Sequence, residues 1–281
     1  MITGATTVVG VIGDPVGHSL SPVIHNAAFA AQDLDFVSVT FPVAAAPGAA
    51  DAALAAMRTM SVRGLSVTMP YKADVMTGVD TVAPSAKKLG VANCIVNDGG
   101  SLTAHNTDGD GFVRSLDTEL GMTPDGARIA VLGAGGASRS IVEALGRNGA
   151  ADIAIVNRTP ERAVELAEVA PVARAAAPDD IAGCNLVINT TSVGMAGAGA
   201  TDAMSCDVQL LAADAAVVDI IYNPLETAWL RAAREQGNRT LNGVPMLVQQ
   251  AIIALELWTG ESIGVDAINS AVADELARRG H

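Results

Sequence analysis

The stretch Arg128-Ile-Ala-Val-Leu-Gly133-Ala134-Gly135-Gly136-Ala137-Ser138 decides the fold. An apolar strand runs straight into a glycine cluster, and a helical stretch, Ser138–Arg147, follows. Gly133 permits a tight turn, and Gly135 lets the backbone approach a pyrophosphate. Ser138 fills the third slot of the G-x-G-x-x-G pattern with a side chain small enough for helix–strand packing. Amides at the new helix N-terminus then face the diphosphate, favoured by the helix dipole. A glycine cluster alone is equally what an ordinary strand-to-helix turn requires. The context supports a nucleotide site: a second strand, Asp152–Val156, follows at βαβ spacing and ends in Asn157-Arg158-Thr159. An NAD site would carry Asp or Glu near this point to hold the ribose 2′-hydroxyl. Here Arg158 and Arg162 supply positive charge instead, which suits a 2′-phosphate and therefore NADP. The bland alternative is that both arginines are solvated surface residues.

Working outward, short continuous Val/Ile/Leu runs alternate with Ala-rich helical stretches. Thr6–Ile12, Phe36–Phe41, Gly64–Thr68, Asn185–Asn189 and Val217–Ile221 read as further strands, built on continuous Val/Ile/Leu runs rather than alternating ones, as strands covered on both faces should be. Pro22–Gln32, Ala49–Met60, Gly109–Leu120, Glu161–Glu168, Leu225–Gln236, Met246–Trp258 and Val265–Arg279 read as helices. Ala92–Asn97 and Leu102–His105 form a hairpin closed by Gly99 and Gly100. Strand–helix–strand repetition predicts the α/β class with parallel sheets. A break near Asn106–Gly111 separates two series.

The 281 residues exceed what one core usually supports, so two domains are expected. Half the residues are hydrophobic and 17% charged, which fits a folded globular protein rather than a disordered one. A net charge of −13 argues against nonspecific binding to nucleic acid or an anionic membrane, so an anionic ligand needs locally placed donors. Three cysteines (Cys94, Cys184, Cys206) form no CxxC pair, which speaks against a disulfide framework or zinc site and for a reducing, cytoplasmic setting. No signal peptide or membrane span is expected.

Three stretches carry candidate chemistry. In Ser66-Val67-Thr68-Met69-Pro70-Tyr71-Lys72, Lys72 is one of three lysines beside fourteen arginines. An amine can give or take a proton near neutrality once its surroundings lower its pKa, which a guanidinium cannot. The alternative is a surface lysine. Asp108, in His105-Asn106-Thr107-Asp108-Gly109, reads both as a helix N-cap and as a carboxylate beside Lys72 on a cleft wall. In Gly17-His18-Ser19-Leu20-Ser21-Pro22, Ser21 before Pro22 is an N-cap signature. Ser19 is left unexplained by that cap, and the two hydroxyls suit a carboxylate. His18 and His25 lack metal-ligand partners and read as packing or supporting residues, so no metal is expected.

With these pieces in place, the chain resembles the shikimate dehydrogenase family over almost its whole length. The matching stretches are GDPVGHSLSP, SVTMPYK, GVANCIVND, HNTDGDG, GAGGAS, NRTPER, NTTSVGM, DIIYNPLET and NGVPMLVQQA, in the family's order. The resemblance implies a substrate domain at 1–107 completed by 243–281, and a Rossmann NADP domain at 108–242. It implies reduction of 3-dehydroshikimate to shikimate with NADPH, a step toward chorismate and the aromatic amino acids, in a cleft between the domains.

By resemblance, Ser19 and Ser21, with Tyr222, hold the substrate carboxylate. Ser66, Thr68, Asn93, Asp108 and Gln250 bind ring hydroxyls, and Lys72 and Asp108 form the catalytic pair. Gly133, Ala134, Gly135, Gly136, Ala137, Asn157, Arg158, Thr159, Arg162, Thr190 and Ser192 match the dinucleotide site, and Gly243, Met246 and Leu247 lie by the nicotinamide. Three departures stand out: Ser66 where the family has Asn, Cys94 where Thr is usual, and Gln249 before Gln250 where a small residue is commoner. The Ser66 change keeps open a paralogous dehydrogenase acting on quinate or another cyclic polyol acid. A noncatalytic NADP-binding module is a further alternative, one that has no use for Lys72, Asp108, Ser19 and Ser21. The expected partner is a small cyclic hydroxy acid, with the chain a monomer or homodimer.

Overall fold

A computed structural model describes residues 1–279. Its elements, in chain order, are β1 (Thr7–Gly13), α1 (Ser21–Ala31), β2 (Phe36–Pro42), α2 (Ala49–Thr59), β3 (Gly64–Val67), β4 (Thr81–Val82), α3 (Pro84–Lys87), β5 (Cys94–Asp98) and β6 (Ser101–His105). The chain continues through α4 (Asp108–Leu120), β7 (Arg128–Leu132), α5 (Gly136–Arg147), β8 (Asp152–Val156), α6 (Pro160–Ala167), β9 (Ala173–Ala175), β10 (Leu186–Asn189), β11 (Ala216–Asp219), α7 (Ala228–Glu235), β12 (Arg239–Leu241), α8 (Val244–Thr259) and α9 (Asp266–Arg278). Among the described residues they make two compact units, 1–107 with 250–279, and 108–249. The second division falls inside α8 rather than at Gly243, because that helix runs unbroken through it.

The first unit holds a six-stranded sheet of order β2-β1-β3-β5-β6-β4. It is mixed, not parallel throughout: β1, β2 and β3 are parallel, while β5 is antiparallel to both β3 and β6. The β5–β6 hairpin explains this, because Gly99 and Gly100 both adopt positive φ (58° and 97°), as a two-residue primed turn requires. Ile12, Leu65, Val67, Ile95, Leu102 and Ala104 pack against α2 residues Leu54 and Met57. α9 packs on α1. Trp258 of α8 donates from Nε1 to the Ile95 carbonyl at 3.0 Å, and a Cβ on Gly64 would lie 2.3 Å from its ring. His25 meets Trp258 edge-on at 5.1 Å and bonds Ser38 through Nδ1 at 2.9 Å. Complete burial pushes this imidazole down to about 3, so it is a neutral packing residue.

The second unit is a fully parallel sheet of order β12-β11-β10-β7-β8-β9, the doubly wound arrangement. Its central strands are apolar except at their ends, where Arg128, Asn189 and Asp219 stand, because alternate residues feed two cores. Ile129, Val131, Leu186, Ile188, Ala216 and Val218 face one, and Ala130, Leu132, Val187 and Val217 face the other, where Trp229 of α7 sits. Among the described residues, no helix is long and apolar enough to cross a membrane.

Candidate active site

In the first unit, backbone bonds sew three loops together at the C-terminal ends of β1 and β3. The Thr68 amide donates to the Ile12 carbonyl (3.0 Å), Asp14 to Met69 (3.0 Å), Val67 to Asn93 (2.8 Å) and Ala92 to Lys72 (2.8 Å). The fit is close: a Cβ on Gly13 would stand 2.4 Å from the Thr68 methyl. Buried Tyr71 donates its hydroxyl to the Val43 carbonyl at 2.7 Å and pins the turn that carries Lys72. Ser66, Thr68 and Lys72 are half-buried and Asn93 is buried, so all four belong to this loop cluster.

Two cap assignments differ from the sequence reading. Leu20, not Ser21, occupies the N-cap of α1, with no side-chain capping bond. Ser21 is buried inside the first turn, and its amide donates to Ser19 Oγ at 3.2 Å, so Ser19 does have a local partner. Asp108, buried, is likewise the first residue of α4 rather than a cap ahead of it. It opens the second unit, whereas Lys72 belongs to the first. Of the departing residues, Cys94 pairs with Ser66 across the β3–β5 ladder and is fully enclosed. Burial pushes its thiol up to about 12, so this change lies in the core.

Asn93, Thr107 and Gln250 form a polar knot that sequence spacing only partly foretold. Asn93 Nδ2 donates to Thr107 Oγ1 (2.9 Å) and Gln250 Oε1 (3.1 Å), and the Thr107 amide donates to Asn93 Oδ1 (2.8 Å). The Thr107 hydroxyl donates to the Gln250 carbonyl at 2.9 Å. Of the two glutamines, Gln249 is buried and Gln250 carries this knot.

In the second unit, Gly133 has φ +109°, and a Cβ there would meet Thr190 Oγ1 and Thr191 Cγ2 at 2.8 Å, so only glycine makes the turn. Ser138 is buried. Its hydroxyl accepts the Gly135 amide (2.9 Å) and bonds Thr190 Oγ1 (2.7 Å), which in turn reaches the Leu132 carbonyl (2.7 Å). A Cβ on Gly135 or Gly136 would meet nothing within 4 Å, so the outer face of the turn is open.

Two cavities flank it. One, of about 570 Å³, is lined by Gly133, Asn157, Arg158, Ser192 and the apolar Pro178, Ile181 and Leu210. The other, of about 250 Å³, is lined by Ala134, Gly135, Gly136, Arg139, Arg162 and Glu165. Arg158 and Arg162, paired in the sequence reading, thus line different cavities. Asn157 donates to the Thr159 carbonyl at 2.8 Å, which shapes the turn into α6, and half-buried Ala137 lies in the first turn of α5.

A buried carboxylate missed by the sequence reading organises the far edge. Asp219 accepts from Asn189 Nδ2 (3.0 Å), the Ile221 amide (3.1 Å) and the Thr227 hydroxyl (2.8 Å). Asn189 Oδ1 accepts from the Thr191 amide (3.0 Å) and hydroxyl (2.7 Å), so Asp219 is linked through Asn189 to the loop bearing Thr190 and Ser192. Burial raises the Asp219 carboxyl to about 6 against the pull of its three donors. Half-buried Tyr222 follows Ile221 directly. Gly243 is pressed on Ile220, whose carbonyl would lie 2.0 Å from a Cβ, while Met246 packs on the core and the Leu247 amide bonds the Gly243 carbonyl at 3.1 Å.

Comparison with known proteins gives this layout a family. Residues 11–95 match the shikimate dehydrogenase substrate binding domain, 118–220 the shikimate / quinate 5-dehydrogenase domain, and 243–273 the shikimate 5′-dehydrogenase C-terminal domain. The chain belongs to the shikimate dehydrogenase family. The shikimate dehydrogenase (NADP(+)) of Geobacter metallireducens is 43% identical over 92% of this chain and 93% of its own. Among solved structures, the shikimate 5-dehydrogenase of Thermus thermophilus, in complex with NADP(H) and shikimate, superposes with a TM-score of 0.88 at 32% identity, covering 96% of this chain and 99% of its own. The quinate dehydrogenase of Corynebacterium glutamicum, in complex with NAD, also reaches 0.88 at 29% identity, covering 96% of this chain and 99% of its own. Fold alone therefore does not separate the two substrates within the family.

Proposed function

We propose that this chain reduces 3-dehydroshikimate to shikimate with NADPH. The observation that carries the reading is the 43% identity over nearly the whole length with a relative named for that activity and cofactor. The relatives so named also stand against the quinate alternative that Ser66 left open. The glycine turn fits the cofactor: its outer face is open, and the neighbouring walls carry arginines rather than the acidic residue of an NAD site at the end of β8.

NADPH, when bound, supplies the hydride. The chain's part is to place the ketone and to handle the negative charge that develops on its oxygen. In this reading the Lys72 ammonium donates a hydrogen bond to that oxygen and hands over the proton, help typically worth about 10²- to 10⁴-fold. Asp108 steadies the ammonium and accepts from the neighbouring ring hydroxyl. Ser19 and Ser21, with Tyr222, hold the carboxylate, while Ser66, Thr68, Asn93 and Gln250 bind hydroxyls. The polar knot at Asn93 supports this assignment, because a side chain fixed by several bonds loses little entropy when it meets a ligand. Tight loop packing holds the ring in reacting geometry. The test is a spectrophotometric trace of NADP reduction with shikimate, repeated with quinate and with NAD. Turnover with shikimate and NADP is expected, and its absence, or a preference for quinate, overturns the reading.

A further inference from the structure

The loop that carries Ser19 and Ser21 is braced by a side chain from α9. That helix packs on α1, and a bond ties the pair at each end. Gln32 Nε2, just after α1, donates to the Ser262 carbonyl ahead of α9 at 2.6 Å. Arg279 Nη1, at the C-cap of α9, donates to the His18 carbonyl ahead of α1 at 2.7 Å. A cation at the end of a helix is ordinary, because it meets the negative end of the helix dipole. That preference does not require a bond to a carbonyl 261 positions away. The guanidinium is also oriented before it gets there. Buried Glu275, one turn back, accepts from Arg279 Nε at 2.6 Å, and Arg278 pairs with the other oxygen of the same carboxylate. A planar group held at Nε presents Nη1 in a set direction.

The carbonyl it reaches is well placed to matter. The His18 oxygen and the Ser19 N–H belong to one planar peptide unit. Arg279 holds the oxygen, and the Ser19 amide donates to the Val16 carbonyl at 3.0 Å, so both polar ends of the plane are fixed. The Cα of Ser19 is placed by that plane, and its hydroxyl accepts the Ser21 amide at 3.2 Å. A chain of contacts thus runs from Glu275 through Arg279 and the 18–19 peptide to the first of the two serines. Arg279 lies beyond residues 243–273, the stretch that matches the C-terminal domain of the family, and outside every motif quoted above.

We propose that Arg279, oriented by Glu275, is a positioning residue for the substrate carboxylate: it fixes the 18–19 peptide so that Ser19 holds its hydroxyl ready for that group. The proposal rests on the reading of Ser19 and Ser21 as the carboxylate site, and a double-mutant cycle in the full chain tests the two separately. Steady-state kinetics of NADP reduction are measured for wild type, Arg279→Met, Ser19→Ala and the double variant. Arg279→Met, which keeps the length of the side chain without its donors, should raise the KM for shikimate about three- to tenfold, with kcat and the KM for NADP within about twofold. An unchanged KM for NADP also shows that the variant is folded. Arg279→Lys, which retains a donor but not the fork, should fall between Arg279→Met and wild type. In the Ser19→Ala background, Arg279→Met should add less than about twofold, because the hydroxyl it serves is gone. A wild-type KM for shikimate in Arg279→Met, an equal rise in both KM values, or a full multiplicative effect in the double variant overturns the assignment of Arg279 and leaves the carboxylate reading intact. A wild-type KM for shikimate in Ser19→Ala overturns the carboxylate reading, and this assignment with it.

Discussion

Asn93 and Thr107 hold each other by a reciprocal pair of hydrogen bonds, Nδ2 to Oγ1 at 2.9 Å and the Thr107 amide to Oδ1 at 2.8 Å. Gln250 closes the knot through its side-chain and backbone oxygens. Thr107→Val removes the hydroxyl at nearly constant shape. Asn93 then loses one acceptor and the Gln250 carbonyl its donor, inside a site where water cannot substitute freely. The expected cost is about 1–3 kcal/mol, read as a lower melting temperature, with a raised KM for shikimate. Melting and KM both at wild-type values would show that the knot is ornamental.

Lys72 sits on a turn fixed independently of its own side chain, by Tyr71 and by the Ala92 amide bonded to its carbonyl. Removing the amine should therefore leave the loop in place. Lys72→Ala is expected to lower kcat by about 10²- to 10⁴-fold with much less effect on KM. An intact turnover number in steady-state kinetics would refute the proton-donating role.

Asp219 gives the chain a pH-dependent stability of defined sign. Burial raises its carboxyl from 3.8 to about 6, so between those pH values the folded protein binds the proton more tightly than the unfolded chain does. The stabilising contribution is complete below about pH 4 and is lost as pH rises through about 6, on the order of 2–3 kcal/mol. Asn in this position still accepts from Asn189 and the Ile221 amide and can donate to the Thr227 hydroxyl oxygen, but it does not titrate. Asp219→Asn should therefore gain on the wild type as the pH is raised from 4 to 7 in thermal denaturation. Parallel curves across that range would contradict the linkage. Asp219→Ala, which strands all three donors, should destabilise at every pH.

What was legible in the sequence follows the physics of burial. β7, β8, β10 and β11 lie where the apolar runs are, because strands covered on both faces admit little else. β4, β9 and β12 span only two or three residues and carry no such run; their pairing partners, not their composition, make them strands. α7 begins after Thr227 rather than at Leu225, since that hydroxyl both bonds Asp219 and accepts the Leu230 amide, a cap visible only once β11 is in place. Arg139 follows the glycine motif by one residue, and its place on the same cavity as Arg162 emerges only in the structure. The recognised motifs were read from their residue types. The Asn93–Thr107–Gln250 knot joins residues that no short motif contains together.

Gly133 fixes the turn beneath the diphosphate. Its φ of +109° is one that a side chain rarely adopts, and a methyl there would press on Thr190 Oγ1 and Thr191 Cγ2 at 2.8 Å. Thr190 cannot yield without disturbing the chain of bonds from Ser138 to the Leu132 carbonyl, which holds the first turn of α5 against β7. Gly133→Ala therefore carries both backbone strain, of about 1–3 kcal/mol, and displacement of the turn. Because the turn underlies the diphosphate common to both nucleotides, the loss should be indiscriminate: 2′-phospho-ADP-ribose and ADP-ribose weaken by similar factors in titration, alongside a lower melting temperature. A selective loss of the phosphorylated probe in this variant would mean that the glycine turn reads the 2′-phosphate itself.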